Sequence, residues 1–162
     1  MKKLLLLLFL IPNLVTGESK ALKLEPFWDE QFYIEQNQYI KKNDIDCGEP
    51  RDTVAMVACT AMWLEEAYQI NYKYYQKAIS VVSDAAADTL FKSYEYAHIY
   101  RDSFCESVSR EIGAGTSRGY VTQECFRVLI KANTVVLWDQ FLTNRAGEAA
   151  YVDFPEPTNL YK

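Results

Sequence analysis

Four cysteines, Cys47, Cys59, Cys105 and Cys125, are the residues of this chain best suited to covalent chemistry. They could pair as disulfides or hold a metal. Structural zinc needs close pairs such as C-x-x-C, whereas the separations here are 12, 46 and 20 residues. Two disulfides are therefore expected, with no metal and no other cofactor.

The residue types that support acid–base or nucleophilic catalysis are sparse. His98 is the one histidine. Ser93 and Asp102 lie within about one turn of it, but along a single helical stretch rather than around a cleft, so a nucleophile–base arrangement is not indicated. Paired carboxylates occur as Asp29-Glu30 and Glu65-Glu66. Consecutive helical residues point about 100° apart, so neither pair can share a proton, and solvated faces explain both. Gly113 to Gly119 has the composition of a phosphate-cradling loop, but no strand precedes it and no Lys-Ser/Thr ends it. A non-catalytic protein is expected.

The elements that carry these residues begin after a leader. Lys2 and Lys3 form a basic start, Leu4 to Leu10 an unbroken apolar run, and Pro12 and Asn13 break it. Val15, Thr16 and Gly17 supply permissive residues for cleavage after Gly17, with Ala21 as the alternative. The run falls short of the about 20 residues that span a bilayer, and no second one exists. Residues 1–17 read as a signal peptide and the remainder as an exported, periplasmic or secreted chain with no membrane span, consistent with disulfides. Losing Lys2 and Lys3 leaves 15 basic residues against 22 acidic ones, a net charge of −7. Such a surface is unsuited to nucleic acid and favours cationic partners.

Residues 18–46 form an aromatic-rich lead segment, with a short helix expected around Trp28 to Tyr39 whose rings pack on the main body. A four-cysteine helical domain occupies 47–145. Within it a helix is expected from Arg51 to Val82, capped by Asp52 or Thr53, with Val54, Val57, Ala61, Leu64, Ala67, Ile70, Tyr74, Ala78 and Val81 as its apolar stripe. Tyr68, Tyr72 and Tyr75 lie off that stripe and are candidates for an exposed binding face. Asp84 then caps a helix from Ala85 to Ile112, with Leu90, Tyr94, Ala97, Tyr100, Phe104, Val108 and Ile112 on its inner side. The glycine-rich run breaks it. A third helix follows from Thr122 to Leu142, with Phe126, Leu129, Ala132, Val136 and Leu137 inward. Residues 146–162 hold two prolines and read as an extended tail. The fold class is all-α: an antiparallel bundle of three main helices, stapled by disulfides at one pole.

The helical hairpin at Ser83 sets the cysteine geometry. Cys59 and Cys105 both sit about 33–36 Å from it, and Cys47 and Cys125 lie at the same end. The favoured pairing is Cys59–Cys105 with Cys47–Cys125. Cys47–Cys59 with Cys105–Cys125 follows closely because its loops are short, and four cysteines leave three connectivities open.

The order Cys47, Thr53, Met56, Cys59, Ile70-Asn71 with Tyr74, Arg101-Asp102 before Cys105, a glycine-rich loop and Cys125 resembles the LprI-type lysozyme-inhibitor family of small secreted bacterial helical domains. The likeness covers about residues 47–142. Tyr94 and Ala97 stand where the family usually has Gln and Trp, Ala67 where it has Asp, and Ile130 and Asn133 where it has Thr and Arg. The resemblance implies a protein that binds a protein partner, lysozyme or another cationic hydrolase. Asn71, Tyr74, Arg101 and Asp102 are read as structural motif residues, with a partner's carboxylate as the alternative contact for Arg101. The candidate partner-binding residues are Gly113, Gly115, Thr116, Ser117, Arg118, Gly119 and Tyr120, in a loop tied at its base by Cys105 and Cys125. An envelope interaction module without lysozyme contact is the second reading.

Overall fold

The computed structural model describes Leu24 and residues 28–115 and 117–143. The leader, Thr116, the whole tail 146–162 and the start of the lead segment apart from Leu24 lie outside the described residues. The described chain is helical: α1 (Glu30–Lys42), α2 (Thr53–Val81), α3 (Asp84–Ile112), α4 (Ser117–Leu137) and a closing π-helical turn (Trp138–Leu142).

Local chemistry explains most of the boundaries. Asp29 caps α1 by accepting from the Phe32 amide at 3.1 Å, so the lead helix starts and ends a little later than expected, and Lys41 and Lys42 complement its carboxyl end. Asp52 caps α2 in the same way, accepting from Ala55 N at 2.8 Å. Ser83, one residue before the expected Asp84, occupies the cap position of α3, because its backbone is already extended and its carbonyl takes the Ala87 amide at 2.8 Å. Gly113 ends α3 at φ 78°, a conformation that favours glycine.

α4 starts at Ser117 rather than Thr122. Gly119 does not break it: a Cβ there would lie 3.6 Å from Val57 Cγ2, so the glycine sits where α4 approaches the start of α2. The carboxyl end agrees with expectation at Leu142, but its last turn widens, with Thr143 N donating to Trp138 O at 2.9 Å.

Each helix runs antiparallel to the one before it. Trp28 meets Tyr72 and Asn37 meets Glu65, so α1 descends along α2. Gly119 beside Val57 and Asn71 bonded to Thr134 place α4 parallel to α2. The architecture is a four-helix bundle, one helix more than the three main ones expected, and α1 of the lead segment belongs to it.

α2 is central. It touches α1, α3, α4 and the π turn, and is therefore buried on several sides instead of along one stripe. Tyr68 and Tyr75 are buried and Tyr72 is half-buried, so the tyrosines of α2 are not an exposed face. Conversely, Val54 is exposed. Two core clusters result. One gathers Tyr74, Tyr75, Ala78, Leu90, Tyr94, Leu137 and Leu142; the other gathers Tyr33, Ala61, Leu64, Ala67, Tyr68 and Ile130.

The disulfides are Cys47–Cys59 and Cys105–Cys125, with Cα separations of 5.4 and 5.7 Å. The favoured pairing across the α2–α3 hairpin is wrong. Being level is necessary but not sufficient, since the Cβ atoms must also face each other. Cys105 lies 8 residues before Gly113 and Cys125 lies 8 after Ser117, so the α3–α4 corner brings them opposite each other. Cys47 sits in the turn that feeds α2, where Asp46 Oδ1 accepts from Gly48 N at 2.8 Å and folds the chain back over Cys59. Both staples are at the end where α2 and α4 begin.

Candidate functional site

The inner face of α3 changes character halfway along. Ala87, Leu90, Tyr94, His98, Arg101, Cys105 and Ser109 are its buried residues, at unbroken i, i+3/i+4 spacing. The expected stripe slips by one residue at Ala97, choosing Tyr100 and Phe104, which are exposed, over His98 and Arg101, which are buried. Bundle packing sets the phase, and the second half of α3 places charge inside.

Arg101 is 5% exposed. Its Cζ lies 4.8 Å above the Tyr68 ring and 5.5 Å from the centre of Phe126, so α2 and α4 clamp it between aromatic faces. Nε and Nη2 donate to Asp102 Oδ1 at 3.2 and 3.0 Å, and Nη2 also donates to His98 Nδ1. The Asp102 side chain is 63% exposed, so it pairs from the solvent edge. Arg127 on α4 differs in its acid: Glu124 accepts from Nε and Nη2 on its two oxygens and is itself partly enclosed.

His98 stacks on Tyr68 at 6.1 Å with a 7° interplanar angle, and meets Tyr94 edge-on at 4.6 Å. Burial first, and then the Arg101 charge, push its pKa from 6.5 down to about 3. Because Arg101 donates to Nδ1, the proton of the neutral ring is on Nε2. An imidazole held neutral with Nδ1 engaged is a poor general base near neutral pH. Ser93 Oγ bonds to Leu90 O at 2.8 Å instead of approaching His98, so the structure does not assemble the Ser93–His98–Asp102 trio. Burial also pushes the Tyr68 hydroxyl up to about 12 and those of Tyr33 and Tyr94 upward, which keeps them protonated.

Asn71 ties α2 to α4. Its Nδ2 donates to Asn133 Oδ1 at 3.0 Å and Thr134 Oγ1 at 2.9 Å, while Thr134 donates on to Ile130 O at 2.9 Å. Tyr74 lies in the adjoining core. Both are packed where the two helices cross.

A cleft of about 260 Å³ opens beside this cluster, with Asn71, His98, Arg101 and Asn133 as polar walls and Leu129 and Val136 as apolar ones. Ala97, Tyr100, Asn133 and Val136 also line a groove of about 770 Å³ between α3 and α4, which continues past Leu90 and Tyr96 to Leu137 and Phe141. The one-residue phase slip hid this feature from the sequence; the polar run His98, Arg101, Ser109 at the spacing of Leu90 and Tyr94 was the signal that could have found it.

The candidate partner-binding loop is shorter than expected. Gly113, Ala114 and Gly115 form the corner, whereas Ser117, Arg118, Gly119 and Tyr120 are the first turn of α4; Thr116 is outside the described residues. Ser117, Arg118 and Gly119 are exposed and Tyr120 is half-buried. Arg118 Nε donates to Ser109 Oγ at 2.6 Å, which draws its guanidinium toward α3. The Cys105–Cys125 bridge braces this corner, and Arg101 lies one turn further from it, so the structure keeps the two arginines in separate surroundings.

No protein-family model, curated protein or solved structure matches this chain. Among the described residues no helix is long and apolar enough to cross a membrane, and no group of three His, Cys, Asp or Glu side chains could hold a metal ion.

Proposed function

We propose that this chain is an exported, non-catalytic binding protein that occludes a cationic glycan hydrolase such as lysozyme, after removal of residues 1–17. The observation that carries the reading is the disulfide-braced α3–α4 corner, which carries the exposed Arg118 on an otherwise acidic chain. Long-range attraction draws a cationic enzyme to that chain. The guanidinium of Arg118 then pairs with the carboxylates that glycosidases use for acid and nucleophile or base chemistry. The resemblance through Cys47, Cys59, Arg101-Asp102 and Cys105 supports the same class of partner.

The test is an inhibition titration of chicken-type and goose-type lysozymes with the oxidised mature chain and with Arg118→Ala. Stoichiometric inhibition at micromolar or lower concentration, weakened at least about tenfold by the substitution, is expected for a lost charge-assisted pair. Undiminished inhibition by Arg118→Ala removes the corner from the mechanism.

A second reading, an envelope interaction module without lysozyme contact, is favoured by the outward face of α3, where Tyr96, Ile99, Tyr100 and Phe104 are exposed. Aromatic side chains of this kind are frequent anchors of protein interfaces. Tyr96→Ser with Ile99→Ser abolishes partner capture from an envelope extract under this reading and leaves it intact under the first.

A further inference from the structure

We infer that the α3–α4 cleft and groove bind an apolar chain ending in a carboxylate, a ligand of the fatty-acid type, with its head at Arg101 and its tail along the groove. The protein leaves one buried charge incompletely met. Arg101 uses Nε and Nη2 on Asp102 and His98. Nη1 donates to no acceptor among the described residues. The one fully enclosed side-chain polar atom among them that lacks a partner is Gln123 Oε1, so Nη1 keeps an opening to solvent. Arg101 is a wall of the cleft.

A second donor stands beside it. Asn133 receives Asn71 through Oδ1, which fixes its amide and leaves Nδ2 as a donor on a side chain shared by cleft and groove. His98 adds no competing charge, being neutral. Asp102, the one acid bonded to Arg101, stays at the exposed rim. A guanidinium and an amide N–H on one small cleft recognise a carboxylate.

Beyond that head site the walls become apolar. Leu90, Leu137, Val136 and Phe141, with the rings of Tyr96 and Tyr100, line the groove of about 770 Å³, inside the range of roughly 300–1,000 Å³ typical of ligand sites. One polar end and one long apolar trough fit a monocarboxylate with an alkyl tail better than a sugar, a nucleotide or a dicarboxylate.

The experiment is calorimetric titration of the oxidised mature chain with laurate, with dodecanol as the uncharged analogue of the same tail, and with an apolar peptide ending in a free carboxylate. Saturable one-to-one binding of laurate is expected, with dodecanol at least about tenfold weaker because it forgoes the charge-assisted bonds. Val136→Glu tests the site without touching the core, since Val136 is 55% exposed and borders both spaces. Folding, followed by circular dichroism, should be unchanged while laurate affinity falls at least about tenfold through like-charge repulsion. Equal binding of laurate and dodecanol, indifference to Val136→Glu, or binding of the peptide without binding of laurate would each overturn the inference.

Discussion

His98 makes stability depend on pH in a direction that can be worked out from its surroundings. In the unfolded chain the imidazole takes a proton below about pH 6.5; in the folded chain burial and Arg101 hold that step down to about 3. Between these values the unfolded state binds more protons, so stability is fully present above about 6.5 and is lost as pH falls toward 3. Each unit in that window removes about 1.4 kcal/mol, so at about pH 4 the loss attributable to His98 is about 3 kcal/mol. Carboxylates titrate in the same region, and a variant is needed to separate the two. His98→Asn keeps an amide oxygen near the position of Nδ1 for Arg101 while removing the only imidazole of the chain. Urea unfolding curves for both proteins at about pH 7, 5.5 and 4 should diverge, with the parent losing about 3 kcal/mol more than the variant by the lowest pH. A single imidazole also gives one proton resonance to follow, and in the folded protein it should show no titration between about pH 7 and 5. Parallel stability curves, or a His98 resonance titrating near 6.5, would refute the description of this cluster as an enclosed neutral histidine beside a buried cation.

Two further substitutions probe the contacts around the site. Asn71→Leu keeps the volume but removes donors from Asn133 and Thr134; a loss of about 1–3 kcal/mol in urea unfolding is expected, and a loss below about 0.5 kcal/mol would show the α2–α4 tie to be dispensable. Gly119→Ala should raise stability by about 0.5–1 kcal/mol, since its Cβ would make ordinary contact at 3.6 Å with Val57, whereas Gly113→Ala at φ 78° should lower it by about 1 kcal/mol. Thermal melts that move in the same direction for both glycines would contradict the assigned corner.

What the sequence made legible was local. Asp52 as a cap, the hairpin near Ser83, the end of α3 at Gly113 and the helical character of every long segment are decided by residues close to one another. What it concealed was decided between helices. The phase of α3 could be drawn through Tyr100 and Phe104 or through His98 and Arg101, and apolarity alone selects the former pair. The structure selects the latter because Tyr68 and Phe126 supply faces for the guanidinium and because Cys105 must face Cys125. The disulfide pairing failed for the same reason: length along a helix is readable from sequence, rotation about its axis is not. The tyrosines of α2 misled because a helix with neighbours on several sides has no free face, and nothing local to α2 announces that α1 will cover it. Of the candidate site, the corner was visible in its glycines and cysteines, while the cleft, built from α2, α3 and α4 together, was not.

The contrast between Arg101 and Arg127 is what makes the cleft more than an accident of packing. Arg127 is answered through Nε and Nη2 by both oxygens of Glu124, an acid that is itself partly enclosed. Arg101 is as deeply placed, yet its carboxylate lies out at the rim, with the Asp102 side chain 63% exposed. Desolvating an arginine without a matched anion is costly, and a hydrophobic residue of similar size is often as stable or more so at such a position. Stability alone therefore gives a weak account of Arg101, whereas a ligand carboxylate completes it. The corner and the cleft lie in separate parts of the α3–α4 pair, which lets their roles be divided cleanly. Arg118→Ala should disturb hydrolase occlusion and leave laurate binding intact; Val136→Glu should do the reverse. If either substitution abolished both activities with the fold preserved, the two surfaces would be one site, and the partner would have to reach from the exposed tip of the bundle to the buried guanidinium.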